Sequence, residues 1–146
     1  MNDDHEPGDR ALLEHVLLPV ATEADALATA RALEPYDPGQ VTAMHVVEKG
    51  EGVPDKTPVE QSEAIAEEAY AAIQSVFSDA EEHTAYSRDV VEAIDETAAE
   101  IDASAIAFQP RGGSRLIQFI SGDTTLKLVT EAERPVITLP REPGNS

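Results

Sequence analysis

The chain has no cysteine and no tryptophan, and no long apolar run occurs in its 146 residues. Without cysteine it can form no disulfide, no thiolate nucleophile and no cysteine-ligated metal site. Its apolar runs fall short of the ~20 residues that a membrane-spanning helix needs. The acidic segment Met1–Asp9 also lacks the apolar core of a secretory signal. These absences predict a cytoplasmic protein that does not enter a membrane.

Positive charge is scarce as well: 29 acidic residues face 10 basic ones, and the formal net charge is -19. A surface so charged repels nucleic acid and anionic membranes, so neither is expected as a partner. The acids are spread along the chain and 41% of the residues are apolar, which is ordinary for a globular protein and argues against disorder. Molar salt shortens the Debye length to about 3 Å and screens such self-repulsion. The composition therefore indicates adaptation to concentrated salt, as in a halophilic organism.

Short apolar runs rich in β-branched residues alternate with stretches of helical periodicity. The predicted strands are His15–Val20, Val41–Val47, Glu82–Ser87, Ala103–Phe108 and Pro135–Leu139, of which the polar third one is placed at a sheet edge. The predicted helices are Ala24–Leu33, Val59–Phe77, Asp89–Glu100 and Thr124–Glu133, with a loop over Gly50–Pro58. In the second helix the predicted apolar stripe comprises Ile65, Ala69, Ala72, Ile73 and Val76. This alternation is typical of a parallel α/β sheet with helices on both faces.

The periodic part of the chain, residues 14–140, has the length of one domain. A domain of this size buries roughly 70% of the surface that its unfolded chain exposes. Residues 1–13 are interpreted as a flexible acidic arm and residues 141–146 as a C-terminal tail.

A glycine-rich connection between the fourth strand and the last helix carries the densest group of candidate ligand-binding residues. Glycines in such a connection let backbone N–H groups and a helix N-terminus approach an anion. In open α/β sheets, ligands bind beyond the carboxyl ends of strands where the strand order reverses. The strand ends before this connection therefore join the candidate site. Its members are Pro19, Val20, Ala21, Val46, Gln109, Arg111, Gly112, Gly113, Ser114, Arg115, Gly122, Asp123, Thr124 and Thr125.

Four segments together resemble the universal stress protein (UspA-type) family over about His15 to Leu139. They are the opening His15–Val20, the strand end His45–Val47, the nine-residue spacing within Gly112–Gly122, and the closing Arg134–Leu139. The resemblance implies an open five-stranded α/β sheet in three α/β/α layers, similar to the adenine nucleotide alpha hydrolase fold. It also implies a homodimer paired through the last strand Pro135–Leu139, and ATP with Mg²⁺ as the ligand of the nucleotide-binding branch.

Three positions depart from the pattern of that ATP-binding branch. Ala21 stands where the branch has an acidic residue, Gln109 replaces the first loop glycine, and Asp123 replaces a phosphate-binding Ser or Thr; Gly112 and Gly122 are kept. An aspartate in the first turn of a helix satisfies the amides and the positive dipole end that a phosphate would use. At about 4 Å and an effective dielectric of about 20, a carboxylate and a phosphate charge repel by about 4 kcal/mol, roughly a thousandfold in affinity. We expect weak or lost ATP binding.

The arginines of the same loop favour an anion site. Arg111 and Arg115 flank two glycines and a serine, and guanidinium groups bind phosphate or carboxylate in a bidentate manner. Two interpretations stay open. One arginine pairs with Asp123 and rigidifies the loop, or the pair retains an anion site that prefers a different nucleotide or a smaller charged ligand.

Catalytic groups do not cluster in the sequence. His5, His15, His45 and His83 lack metal-ligand spacing, and His45 is expected to be packed or hydrogen-bonded. No nucleophile elbow or P-loop lysine is present. The favoured interpretation is a binding or regulatory module of the stress response that is not an enzyme. The alternatives are an enzyme that hydrolyses or transfers nucleotides with the Gly112–Thr125 loop, and a structural domain that only pairs with a partner.

Overall fold

The computed structural model describes residues 11–48, 57–87, 89–109, 127–128 and 130–139. Its strands are β1 (His15–Pro19), β2 (Gln40–Glu48), β3 (Glu81–Ser87), β4 (Ala105–Phe108) and β5 (Val136–Thr138). Its helices are α1 (Glu23–Leu33), α2 (Thr57–Val76) and α3 (Val90–Glu100), with a 3-10 turn at Glu34–Tyr36. Residues 127–128 and 130–131 are also helical.

The strands form one parallel sheet in the order β3-β2-β1-β4-β5. β1 pairs with β2, where His15 lies opposite Gln40, and with β4, where Val16 lies opposite Ala105. The chain first moves outward from β1 to β3, and then returns to the other side of β1 for β4 and β5. The strand order therefore reverses between β1 and β4. The predicted α/β class is confirmed, and the polar strand β3 lies at an edge as expected.

Both faces of the sheet are covered, because successive residues of a strand point to opposite sides. Val16, Leu18 and Val20 pack in a cluster with residues of α1 and α2. Leu17 and Ala21 belong to a second cluster, formed with α3 and with Leu128 of the C-terminal helical residues. The fold is thus a three-layer α/β/α sandwich, and burial on both sides explains why the central strands are almost continuously apolar.

Some predicted boundaries are wrong by a few residues. α2 begins at Thr57, inside the predicted loop, and β4 begins at Ala105 rather than Ala103. Ala103 N–H bonds back to the carbonyl oxygen of Ala98 (2.9 Å) and so closes the end of α3. The C-terminal helical residues end at 131 rather than 133.

The predicted apolar stripe of α2 is wrong at one position. Ile65 is 39% exposed, whereas Ala66 and Tyr70 are buried along with Ile73. The buried face is therefore rotated from the predicted one by part of a turn. A tyrosine can occupy this face because its hydroxyl group finds hydrogen-bond partners in the neighbouring strand β3.

The amino ends of β1 and β4 are tied together by Ser104. Its hydroxyl oxygen accepts a hydrogen bond of 2.8 Å from His15 N–H and lies 2.8 Å from the carbonyl oxygen of Leu12. Nearby, Arg134 Nε donates a hydrogen bond to the Ala103 carbonyl oxygen at 3.0 Å. These bonds fix the end of the sheet that lies opposite the predicted ligand site.

Candidate functional site

The carboxyl ends of β1 and β4 flank the point where the strand order reverses. Val20 N–H extends the β1 ladder by donating to the carbonyl oxygen of Met44 (2.9 Å), and Phe108 accepts a hydrogen bond from Leu139 N–H (2.8 Å). After these bonds the chain leaves the sheet, at Ala21 on one side and Gln109 on the other. In open α/β folds this is the position at which ligands bind.

Five residues predicted for the site lie in the described part of the chain: Pro19, Val20, Ala21, Val46 and Gln109. Pro19 ends β1, and Gln109 directly follows β4. Ala21 and Val46 share the apolar cluster on the α3 face, whereas Val20 belongs to the cluster on the opposite face. The fold therefore brings Ala21 and Val46 to the same side of the sheet, near its carboxyl end.

The other predicted site residues belong to the glycine loop and lie outside the described residues. They are Arg111, Gly112, Gly113, Ser114, Arg115, Gly122, Asp123, Thr124 and Thr125. Their role, including the pairing of an arginine with Asp123, stays a prediction from the sequence.

The end of β1 also carries a carboxylate that the sequence reasoning did not single out. Asp25, in the first turn of α1, is 4% exposed, and its Oδ2 accepts a hydrogen bond of 3.0 Å from Ala21 N–H. Thr22 is the N-cap of α1, and its hydroxyl accepts a hydrogen bond of 3.2 Å from Asp25 N–H. The pair resembles a capping box in which the acid reaches one residue beyond the cap. The spacing Thr22-x-x-Asp25 is the signal that could have revealed it.

His45 lies in β2, beside the end of β1. It is 6% exposed, and its Nδ1 lies 3.1 Å from the carbonyl oxygen of Val20. A carbonyl oxygen only accepts, so the proton is on Nδ1. Burial lowers the pKa of His45 below its usual 6.5, and the hydrogen bond to Val20 acts in the opposite direction. The expectation that His45 is packed and hydrogen-bonded is confirmed.

Neither metal chemistry nor membrane insertion finds support in the described part of the molecule. Among those residues, no three or more histidine, aspartate or glutamate side chains are grouped as they are in a metal site. None of the helices in the same ranges is both long and apolar enough to cross a bilayer. In the described part of the site, Ala21 and Val46 belong to one apolar cluster, and the buried polar residue Gln109 follows β4.

The model of the universal stress protein family matches residues 13–140. This chain belongs to the universal stress protein family. The resemblance seen in its sequence is thereby confirmed. Among curated proteins, no sequence matches the chain significantly.

Solved structures of universal stress proteins share the fold. The protein from Archaeoglobus fulgidus in complex with dAMP is 21% identical, has a TM-score of 0.66, and covers 89% of this chain with 100% of its own. A universal stress protein in complex with cAMP is 12% identical, with a TM-score of 0.64 and coverage of 90% and 100%. UspA from Lactobacillus plantarum is 22% identical, with a TM-score of 0.62 and coverage of 90% and 100%. At these identities the likeness establishes the fold, and it extends over the full length of each relative.

Proposed function

We propose that this universal stress protein binds a small adenine nucleotide, or a related anionic ligand, at the carboxyl ends of β1 and β4. It acts there as a regulatory binding module of the cytoplasmic stress response. The observation that carries the proposal is the reversal of strand order between β1 and β4, because it gathers Ala21, Val46 and Gln109 at one end of the sheet. The ligand class is supported by two relatives, one in complex with dAMP and one with cAMP.

The described part of the site suits the base of a nucleotide. Ala21, Val46 and Phe108 belong to one apolar cluster, and an adenine ring is flat and largely apolar on its faces. Gln109 adds a buried polar side chain at the end of β4. Pockets for small ligands commonly combine an apolar lining with a few polar groups in this way.

The phosphate side of the site is assigned to the loop from Arg111 to Thr125. Its two arginines provide positive charge in a chain of net charge -19. The carboxylate of Asp123, at the predicted helix start, repels each additional phosphate group of a ligand. We therefore propose that a nucleoside monophosphate binds more tightly than ATP, and that ATP binding is weak.

Binding without turnover is proposed because Ala21 stands where the ATP-binding branch of the family has an acidic residue. The methyl group of Ala21 can neither accept a proton nor ligate a metal ion, and the acid and the base beside it, Asp25 and His45, are buried and hydrogen-bonded to the Val20–Ala21 peptide. The competing function is nucleotide hydrolysis by the Gly112–Thr125 loop. An ATP turnover assay separates the two: release of phosphate by the parent, but not by Asp123→Ser, would make Asp123 catalytic.

Calorimetry in molar KCl tests the ligand preference. The parent is titrated with AMP, cAMP and Mg-ATP, and so are Asp123→Ser and the control Glu131→Ser, which removes one exposed charge from the described C-terminal helical residues. We expect AMP to bind the parent more tightly than Mg-ATP, and Asp123→Ser to gain up to roughly a thousandfold in Mg-ATP affinity. Glu131→Ser should gain little. A low-micromolar Mg-ATP constant for the parent would contradict the proposal.

We also propose that a second copy of the chain pairs along β5. This strand lies at the sheet edge, and a groove of about 280 Å³ runs beside it. Leu12 and Tyr36, which line the groove, are 51% and 54% exposed. Among the described residues this edge of β5 has no strand partner, and such an edge next to exposed apolar side chains is suited to pairing with another strand.

Light scattering in molar KCl tests the pairing. Ile137→Lys places a charge in the β5 strand beside the groove, and Ile65→Lys places the same charge at an exposed position of α2. The parent and Ile65→Lys are expected to be dimers, and Ile137→Lys a monomer. A monomeric parent would contradict the assignment.

A further inference from the structure

One peptide group at the end of β1 is held at both ends by buried side chains. The N–H group of Ala21 donates to Asp25 Oδ2 at 3.0 Å, and the C=O group of Val20, which belongs to the same peptide, accepts from His45 Nδ1 at 3.1 Å. Asp25 comes from α1 and His45 from β2. Side chains of two different elements, the helix that follows β1 and the neighbouring strand β2, thus converge on one peptide plane, which we name the clamped peptide.

The clamped peptide lies at the junction between β1 and α1. It is the first peptide beyond β1, and it precedes Thr22, the residue that caps α1. At such a junction neither a sheet ladder nor a helix fixes the plane. The C=O and N–H groups of a trans peptide point in opposite directions. Hydrogen bonds to both groups therefore prevent the plane from rotating about the line that joins its two Cα atoms.

The orientation of this plane decides what the end of β1 presents to a ligand. With both polar groups bonded to protein side chains, Ala21 contributes its methyl group to the apolar cluster that also contains Val46. If the plane rotated, a carbonyl oxygen or an N–H group would replace that apolar surface. An exposed carbonyl oxygen would also lack a partner when a base covered it, which is costly.

We infer that Asp25 and His45 are positioning residues, which fix the Val20–Ala21 peptide so that the end of β1 offers an apolar, non-bonding surface to the base of the bound ligand. This inference rests on the proposed nucleotide site. It assigns a role to two buried polar side chains, and it explains why they share one peptide. Helix capping by itself would explain Asp25, whose N–H group bonds to the Thr22 hydroxyl, but it would not explain His45.

Two pairs of variants test the inference, and the members of each pair carry the same charge. His45→Asn places an amide nitrogen where the histidine has Nδ1, whereas His45→Leu removes the donor. Asp25→Asn keeps an acceptor oxygen, whereas Asp25→Leu removes it. In each pair we expect the leucine variant to bind AMP about tenfold more weakly than the asparagine variant at 25 °C. The double leucine variant should bind AMP only slightly more weakly than either single leucine variant, because each of the three variants already allows the same peptide to rotate.

Nuclear magnetic resonance gives a readout that does not depend on ligand. The imidazole ¹⁵N shifts of the parent should show the proton on Nδ1 in the neutral form, and the Ala21 amide signal should move in Asp25→Leu more than in Asp25→Asn. The inference is contradicted if the neutral His45 of the parent carries its proton on Nε2 alone. It is also contradicted if the leucine variants bind AMP as tightly as their asparagine partners, even if they unfold at lower temperature.

The two proposals fail in different ways. A parent that binds none of AMP, cAMP or Mg-ATP overturns the proposed function and with it the ligand role of the clamp. A parent that binds AMP while both variant pairs bind it equally overturns the clamp alone. If Asp25→Leu does not fold, the His45 pair decides the outcome.

Discussion

The hydroxyl group of Tyr70 donates a hydrogen bond to the carbonyl oxygen of His83 at 2.7 Å and lies 2.6 Å from Thr84 Oγ1. It thereby joins α2 to β3. This strand lies at the edge of the sheet, where it pairs with β2. Burial of the ring raises the pKa of Tyr70 to about 12, and the hydrogen bond with Thr84 opposes that change.

Tyr70→Phe should lower the free energy of unfolding by about 1–2 kcal/mol, because the variant loses the bond and leaves the His83 oxygen without this donor. Urea denaturation at pH 7.5 in molar KCl measures the change. Tyr86→Phe is the matched control, since Tyr86 is exposed, and it should change the stability by no more than about 0.5 kcal/mol.

The same tyrosine predicts a loss of stability at alkaline pH. An unfolded tyrosine releases its proton near pH 10, whereas Tyr70 in the folded protein keeps it to about pH 12. Between these values the unfolded state binds fewer protons, so the free energy of unfolding falls as the pH rises. The difference in stability between the parent and Tyr70→Phe should therefore shrink from pH 10 to about 12. A constant difference over this range would show that Tyr70 is not protected from ionisation.

His45 predicts a loss of stability on the acid side. Burial lowers its pKa below the usual 6.5, so the unfolded state takes up a proton at a higher pH than the folded state does. Stability is then present above about pH 6.5 and declines as the pH falls below it. Urea denaturation of the parent and of His45→Asn between pH 7.5 and 5 should show the parent losing stability relative to the variant. Parallel curves would contradict the expectation.

Gly39 is expected to tolerate no side chain. A Cβ atom at this position would lie 2.6 Å from the carbonyl oxygen of Glu14, which itself accepts a hydrogen bond from Gln40 N–H at 2.9 Å. The clash is with backbone that starts the pairing of β1 with β2, so relief would require the strands to shift. Gly39→Ala should cost about 1–3 kcal/mol in thermal or urea unfolding, whereas Gln40→Ala, at an exposed side chain, should cost far less.

The net charge of -19 predicts that salt stabilises the fold. Raising KCl from 0.1 M to 1 M shortens the Debye length from about 10 Å to about 3 Å, which weakens the repulsion among surface carboxylates. The midpoint of thermal unfolding should rise steadily over this range. Adaptation to concentrated salt would be contradicted if the midpoint stayed constant or fell.

The sequence predicted the order and type of the elements because the strands are covered on both faces and the helices on one. A strand buried on both faces gives a continuous apolar run, as in Val16–Val20, whereas a helix buried on one face gives apolar residues at three- and four-residue spacing, as in α3. Ile65 shows the limit of this reasoning: the period placed it inside, but Ile65 is exposed, whereas Ala66 and Tyr70 are buried and the Tyr70 hydroxyl bonds to β3. No periodicity records a hydrogen bond between α2 and β3.

The candidate site was predictable where it follows from topology, and less so where it depends on side-chain contacts. The sequence predicted Ala21 and Val46 as site residues because the carboxyl ends of parallel strands lie at the same end of the sheet. Asp25 and His45 were not predicted to meet, since they belong to different elements and meet only through the Val20–Ala21 peptide beyond β1. The capping signal Thr22-x-x-Asp25 is visible in the sequence, but it indicates a helix start and not the partner of the carboxylate.

The anchoring of Ser104 at the amino ends of β1 and β4 has a consequence for how this fold can evolve. Hydrogen bonds among Ser104, His15 and Leu12 secure the sheet at the pole farthest from the ligand. Substitutions at the carboxyl ends of the strands can therefore accumulate without breaking these hydrogen bonds. The ligand end of this chain can consequently take substitutions while the opposite end of the sheet keeps its hydrogen bonds.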